Sequence, residues 1–257
     1  MEDNQPHGEP MTNPQPVALA IGAGDAIGAA FAQRFVAGGY AVAVARRDAS
    51  KSEGLIEQIT ASSGTLKAYA SDARDEDACI ELFDAVENDL GPIDVVLYNA
   101  GANARAPILE TEAKLFRKVW ELSCFGGFLA GREAARRMTP RGHGTILYTG
   151  ATASLRGGPG FAAFASAKFG LRAVAQSLAR ELGPMGIHVA HLVIDGGVDS
   201  PAIHARRRAA AGDDDLEFPQ DSLIDLATVA EAFWTLSQQK RDGWTHELDI
   251  RPFVEKW

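Results

Sequence analysis

The stretch that decides the fold is Val17-Ala-Leu-Ala-Ile-Gly22-Ala-Gly24-Asp25-Ala-Ile27-Gly28, which runs directly into AAFAQRFVAGG at 29–39. Five apolar residues followed by glycines at 22, 24 and 28, then an amphipathic segment stopped by Gly38-Gly39, describe a buried strand, a tight turn and a helix. Glycines at such a turn let the backbone approach a pyrophosphate. The helix N-terminus offers the phosphate unpaired N–H groups and the positive end of the helix dipole. A glycine pattern alone also suits a merely tight turn. Here the strand before it and the helix after it favour dinucleotide binding by Gly22, Gly24, Asp25, Ile27 and Gly28.

Working outward, the same alternation continues to the C-terminus. Apolar runs at 17–21, 40–45, 65–70, 93–98, 145–149, 187–194 and 245–250 read as strands buried on both faces. Helical patterns lie near 26–37, 49–61, 74–89, 110–138, 161–182 and 227–238. Seven strands alternating with six helices predict an α/β doubly wound parallel sheet, with ligands bound at the strands' C-terminal edge. The length of 257 residues suits one domain spanning 17–257. Residues 1–16 carry four prolines and no apolar core, so they read as a disordered tail and not a secretory signal. The segment 199–223 mixes an Arg run, an Asp run and a proline. By position it reads as a mobile loop over the substrate, although its charges also suit a solvated face.

Composition narrows the partners. A net charge of −9, from 34 acidic against 25 basic residues, repels nucleic acid and anionic lipid. No run is long and apolar enough to span a bilayer. Cys79 and Cys124 are far apart in the chain, without CxxC or Cys/His spacing, so neither a disulfide framework nor a metal site is expected, and a reducing cytoplasm fits. The expected partner is a small-molecule substrate.

At the end of the second strand, where NAD-specific sites carry an acid for the ribose 2′-OH, this chain has Arg46-Arg47. A guanidinium pairs bidentately with a 2′-phosphate, so NADP(H) is expected over NAD(H). The plainer alternative is that these arginines solvate a helix start.

These residues resemble the short-chain dehydrogenase/reductase family, and the resemblance runs from Val17 to the C-terminus. Gly22-xxx-Ala26-x-Gly28 is similar to the family's glycine motif, Ser71-Asp72-Ala73 to its adenine-contacting acidic turn, and Tyr98-Asn99-Ala100-Gly101 to its Asn-Asn-Ala-Gly strand end. The segment 183–200 resembles the sixth strand and the nicotinamide-contacting turn. Asp195-Gly196 stands there for the usual Pro-Gly, in a register one residue longer, and Val198 falls in the turn. The resemblance implies an NAD(P)-dependent oxidoreductase that pairs its long helices, here 110–138 and 161–182, between subunits of a homodimer or homotetramer.

It also implies a catalytic Asn, Ser, Tyr and Lys, the last two spaced Tyr-xxx-Lys. Residues at i and i+4 share a helix face, so a lysine ammonium lowers the tyrosine pKa while holding the nicotinamide ribose. This chain departs from that set. Phe164 stands where the phenol belongs, Ala151 where the serine belongs and Ser123 where the asparagine belongs, leaving Lys168 unaltered. The enoyl-reductase spacing of seven gives Phe161, again without a phenol. Replacement donors are sought first in Thr152 and Ser123, then Thr149, Ser154, Cys124 and Asp195. Capping or packing competes for each hydroxyl and thiol, and His191 reads more readily as a structural strand histidine. A substrate that needs no proton as hydride arrives, such as an iminium, or an activated alkene, suits a phenyl-lined pocket. So does a cofactor-binding protein without redox turnover, or an isomerase or cyclase on the same scaffold.

Overall fold

The computed structural model describes residues 15–255, so the expected tail lies outside the described residues apart from Gln15 and Pro16. All seven expected strands form, as β1 (Val17–Ile21), β2 (Ala41–Arg46), β3 (Leu66–Ala70), β4 (Ile93–Tyr98), β5 (Gly144–Thr149), β6 (Ile187–Ile194) and β7 (Glu247–Ile250). They make one parallel sheet in the order β3-β2-β1-β4-β5-β6-β7. Alternation within β1 shows why its sequence is apolar throughout. Val17, Leu19 and Ile21 enter one core while Ala18 and Ala20 enter the other.

The first core is closed by α3 (Glu76–Leu90), α5 (Gly126–Met138) and α6 (Ala162–Leu182), the second by α1 (Ile27–Ala37), α2 (Glu53–Ala61) and α8 (Leu226–Ser237). Chain order reverses at β1, which lies between β2 and β4. The crevice beyond the C-terminal ends of β1 and β4 is therefore where a doubly wound sheet binds its ligand. Gly22 and Asn99 stand at that crevice, each one residue past its strand.

Two expected elements differ. The single helix at 110–138 is α4 (Ala113–Trp120) and α5 joined by a π-helical turn, Glu121–Phe125. Packing explains where it sits: a side chain on Gly126 would collide with the Tyr98 hydroxyl and the Ala73 carbonyl, and the Tyr98 hydroxyl donates to the Leu122 carbonyl inside the turn. The segment 199–223 is not loop throughout, because Pro201–Ala211 forms α7. Ser200 caps it by accepting from the Ile203 N–H, Pro201 opens its first turn, and Gly212 ends it at φ 67°. No helix among the described residues is long and apolar enough to cross a membrane, and no group of three or more His, Cys, Asp or Glu among them could hold a metal ion.

Candidate active site

The crevice opens into one cleft of about 620 Å³. Its wall includes Gly22, Gly24, Asp25 and Ile27 after β1, Arg46 and Arg47 at the end of β2, Asp72 and Ala73 after β3, and Asn99, Ala100 and Gly101 after β4. Phe164 and Lys168 close it from α6, and Val198 lies on the turn after β6.

The glycines do different work. Gly22 sits at φ 78°, and a Cβ on it would overlap the backbone and side chain of Ala100, so the turns after β1 and β4 can lie against each other only because residue 22 has no side chain. Gly28 does not reach the cleft. It is buried, and a Cβ there would strike Ala23, so it sets how closely α1 packs on the turn. Gly24 is the one with nothing within 4 Å of an added Cβ. That is open space at the first turn of a helix, where a phosphate would pass.

Behind the loop, Asn99 donates from its amide to the Gly22 carbonyl at 3.1 Å and accepts from the Thr149 hydroxyl at 2.9 Å. One side chain thus ties the ends of β1, β4 and β5 together.

Charge is arranged unevenly at the mouth. Arg46 Nη1 lies 2.6 Å from Asp25 Oδ1 and donates to the Lys51 carbonyl, which braces the glycine loop. Arg47 is exposed at the cleft wall, with no hydrogen bond or ion pair among the described residues. Asp72 is gripped by Arg74 through Nε and Nη2, and those hydrogen bonds hold its carboxyl below the usual range.

At the inner end, Lys168 is buried, and its Nζ donates to the Thr149 carbonyl at 2.7 Å. Burial lowers its pKa to about 8. An ammonium has three donors, so a single carbonyl leaves two for a guest. The Phe164 ring centre is 6.0 Å from Nζ, one helical turn away. Around that ring are Val119, Ala153, Ala163 and Ala167, with Ala102, Ala104, Leu115, Ala151 and Phe161 beside them, so the inner wall is apolar.

Ser123 and Thr152 are not on the cleft wall. Ser123 lies within the π-helical turn, fully buried, and its Oγ has no hydrogen-bond partner. Thr152 donates to Asp195 Oδ1 at 2.6 Å. Asp195 is wholly buried, with Arg156 and Arg251 within ion-pair distance. Ser154 accepts from the Ala151 N–H and meets His191 Nε2 at 3.5 Å. His191 Nδ1 faces Glu247 at 3.1 Å, and Glu247 is held bidentately by Arg172. Burial lowers the His191 pKa to about 4. This fully buried serine and histidine support the turn after β5 from behind.

Sequence reasoning missed Asn103 and, from α7, Ala202, Ile203 and Arg206, all of which line the cleft. The α7 residues had a usable signal: Ser200-Pro201 ahead and Gly212 behind are helix boundaries.

A glycine-lined parallel-sheet crevice with an amide latch and a buried lysine defines a dinucleotide-binding protein. Comparison with known proteins narrows the class. A profile of the short chain dehydrogenase family matches residues 16–211. The 3-oxoacyl-[acyl-carrier-protein] reductase MabA of Mycobacterium avium is 32% identical over 187 residues, covering 73% of this chain and 69% of its own. A short-chain dehydrogenase structure from Rhodopseudomonas palustris is 47% identical, with a TM-score of 0.78 over 92% of this chain and 99% of that one. A tyrosine-to-phenylalanine variant of ElxO, solved with NADPH bound, shares the fold at 21% identity, with a TM-score of 0.82 over 92% and 97% of the two chains. This chain belongs to the short-chain dehydrogenase/reductase family, as an oxidoreductase of NAD(P)-dependent type.

Proposed function

We propose that the chain is an NADP(H)-dependent oxidoreductase moving hydride to or from a small, apolar carbonyl, imine or enone compound, without the family's tyrosine acid. The observation that carries this reading is the single cleft in which Gly22, Gly24 and Asn99 meet the buried Lys168, while Phe164 and Ala151 make its inner wall apolar. When bound, the nicotinamide supplies or accepts the hydride. The chain's own residues bind and orient. Gly24 and the start of α1 take the pyrophosphate, Arg47 the 2′-phosphate, Asp72 and Ala73 the adenine side, and Val198 and Lys168 the nicotinamide end. One spare N–H of Lys168 suits a ribose hydroxyl, and a buried ammonium needs such partners. MabA is named as a 3-oxoacyl-[acyl-carrier-protein] reductase, which supports the carbonyl part of the reading.

Phe164 gives the cleft an apolar wall beside Lys168, and an oriented pair of reactants supplies much of the barrier lowering, about 7 to 11 kcal/mol in favourable cases. Protonation assistance is worth less, about 10²- to 10⁴-fold. Exposed aromatic residues Phe116, Trp120, Phe128 and Phe169 on α4, α5 and α6 support a homodimer or homotetramer, and the two buried free thiols Cys79 and Cys124 suit a reducing cytoplasm.

The test is titration with NADPH and NADH, then a panel of ketones, iminium ions and enones followed at the nicotinamide absorbance. Absence of tight NADPH binding would overturn the proposal. The second reading, cofactor binding without redox turnover or an isomerase or cyclase, is favoured by the hydroxyls of Thr149 and Thr152 being engaged elsewhere. It gains if NADPH binds and no acceptor oxidises it.

A further inference from the structure

We propose that Lys168 is itself the proton donor when this chain reduces a carbonyl, acting directly on the substrate oxygen in place of the phenol that Phe164 lacks. The inference rests on the oxidoreductase reading above and assigns the one chemical role that reading leaves vacant.

Elimination by geometry comes first. The Thr149 hydroxyl donates to Asn99 and the Thr152 hydroxyl to Asp195. Ser154 is wholly buried beside His191, behind the cleft wall. The phenols of Tyr98 and Tyr148 donate to the carbonyls of Leu122 and Gly127 in the core. Lys168, in contrast, lines the cleft and spends one donor on Thr149. It lies on the same face of α6 as Phe164, one turn on, so the buried Nζ sits beside that ring, 6.0 Å from its centre.

A second observation points to the same spot. Ser123 Oγ is buried and has no partner, and a Cβ on Gly101 would stand 3.4 Å from that Oγ and 3.5 Å from Lys168 Nζ. With no side chain at residue 101, which lines the cleft, Nζ keeps room on that side for a small polar guest such as a substrate oxygen, and Ser123 Oγ, buried off the cleft wall, is the one orphaned group beside it.

The surroundings of Nζ favour proton transfer. Among the described residues no carboxylate pairs with it. Its titratable neighbour is His191 from β6, held neutral by burial, with Glu247 of β7 and Arg172 of α6 paired to each other beyond it; Thr149 of β5 contributes a carbonyl, Ser123 of the π-helical turn a hydroxyl and Phe164 of α6 a ring face. Burial brings the ammonium to a pKa of about 8, close to working pH, where a general acid is most effective.

The carbonyl carbon gains a hydride and is reduced, the nicotinamide is oxidised, and the C=O π pair moves to oxygen. That oxygen forms an O–H bond as one Nζ–H bond breaks. Lys168 is left as a neutral amine and regains a proton from water.

The test uses the full chain with NADPH, phenanthrenequinone as an apolar carbonyl probe and N-methyl-dihydroisoquinolinium as an acceptor that needs no proton. Single-turnover oxidation of bound NADPH by the quinone should be flat at low pH, then fall about tenfold per unit above a break near 8, whereas the iminium should show no such break. Lys168→Arg keeps a cation that does not release its proton in this range. It should lower the quinone-to-iminium rate ratio by about 10²-fold or more and abolish the break. An independent readout, ¹⁵N NMR of lysine Nζ in the cofactor-free protein, should give one resonance titrating near 8 that Lys168→Arg removes. An unchanged rate ratio in the variant, or an Nζ that titrates like an exposed lysine, overturns the inference even if NADPH binds and is oxidised. Failure of the wild type to bind NADPH in calorimetry instead brings down the oxidoreductase reading, and the inference with it.

Discussion

Removing the Arg47 guanidinium should separate NADPH from NADH. Arg46 and Arg47 are adjacent in sequence but differ in the structure. Arg46 is committed to Asp25 at 2.6 Å and to the Lys51 carbonyl, while Arg47 is exposed at the cleft wall, with no hydrogen bond or ion pair among the described residues and only a weak electrostatic pull on Asp72. A hydrogen bond to a charged group is worth about 1.5 to 3 kcal/mol, and exposure moves the expectation to the lower part of that range, about 1.5 to 2 kcal/mol. At about 1.4 kcal/mol per factor of ten, Arg47→Ala should weaken NADPH binding about 10- to 30-fold and change NADH binding by no more than about twofold. Arg46→Ala should behave otherwise, weakening both cofactors together, because it releases the brace on the glycine loop. Calorimetric titration of wild type and both variants at two ionic strengths is the assay, and the NADPH advantage of the wild type should shrink at the higher salt. Equal losses of NADPH and NADH in Arg47→Ala, or a wild type that binds NADH as tightly as NADPH, would refute the assignment of Arg47 to a phosphate.

Other outcomes follow from the same geometry. Gly22→Ala adds a Cβ at φ 78° against the Ala100 backbone; positive φ and overpacking together cost about 2 to 5 kcal/mol, so Tm should fall by at least about 4 °C, whereas Gly24→Ala should leave Tm unchanged in a melting scan and still weaken NADPH binding. Phe164→Tyr adds a phenol one turn from Lys168, beside an acid already in place, so steady-state ketone reduction should rise by less than the roughly 10²- to 10⁴-fold that a general acid is worth where none is present, with cofactor affinity unchanged; a gain of that full size would count against Lys168 as the donor. The folded pKa of His191, about 4, lies below the usual value of 6.5, so the unfolded chain binds the extra proton first. Its contribution should be complete above about 6.5 and decline as pH falls toward about 4, a slope that urea titrations should show flattened in His191→Gln.

The fold was legible because two-sided burial writes itself into short apolar runs, and all seven strands stand within a few residues of where those runs lie. What escaped is instructive. Periodicity over 110–138 cannot register a widened turn, because the cause is tertiary: Tyr98 and Ala73 press against Gly126 from elements far away in sequence. The helix α7 was hidden by its own charges. The Arg run at 206–208 and the Asp run at 213–215 suggested a solvated loop, while its cap, proline and terminal glycine were local signals that outweigh composition.

The site divides along the same line. Residues at the sheet edge could be placed, Gly22 and Gly24 from the strand–turn–helix pattern and Asn99 from the resemblance of Tyr98-Asn99-Ala100-Gly101 to the family's strand end, since a strand end fixes where they lie. Hydroxyls could not. Thr152 follows β5 as expected, yet its direction is decided by Asp195, a buried carboxylate at the end of β6 that also draws Arg251 from beyond β7. Ser123 likewise points by virtue of the π-helical turn. A donor's usefulness depends on which partner claims it first, and that competition is settled by residues tens of positions away. Lys168 escapes the competition because a long side chain reaching the crevice meets one carbonyl and an apolar ring, leaving two of its three N–H donors for whatever enters the cleft. On the proposed reading, a phenylalanine at 164 alters the site by subtraction on the substrate side, and Lys168, one helical turn away, is both the group proposed to hold the cofactor and the one proposed to give the proton.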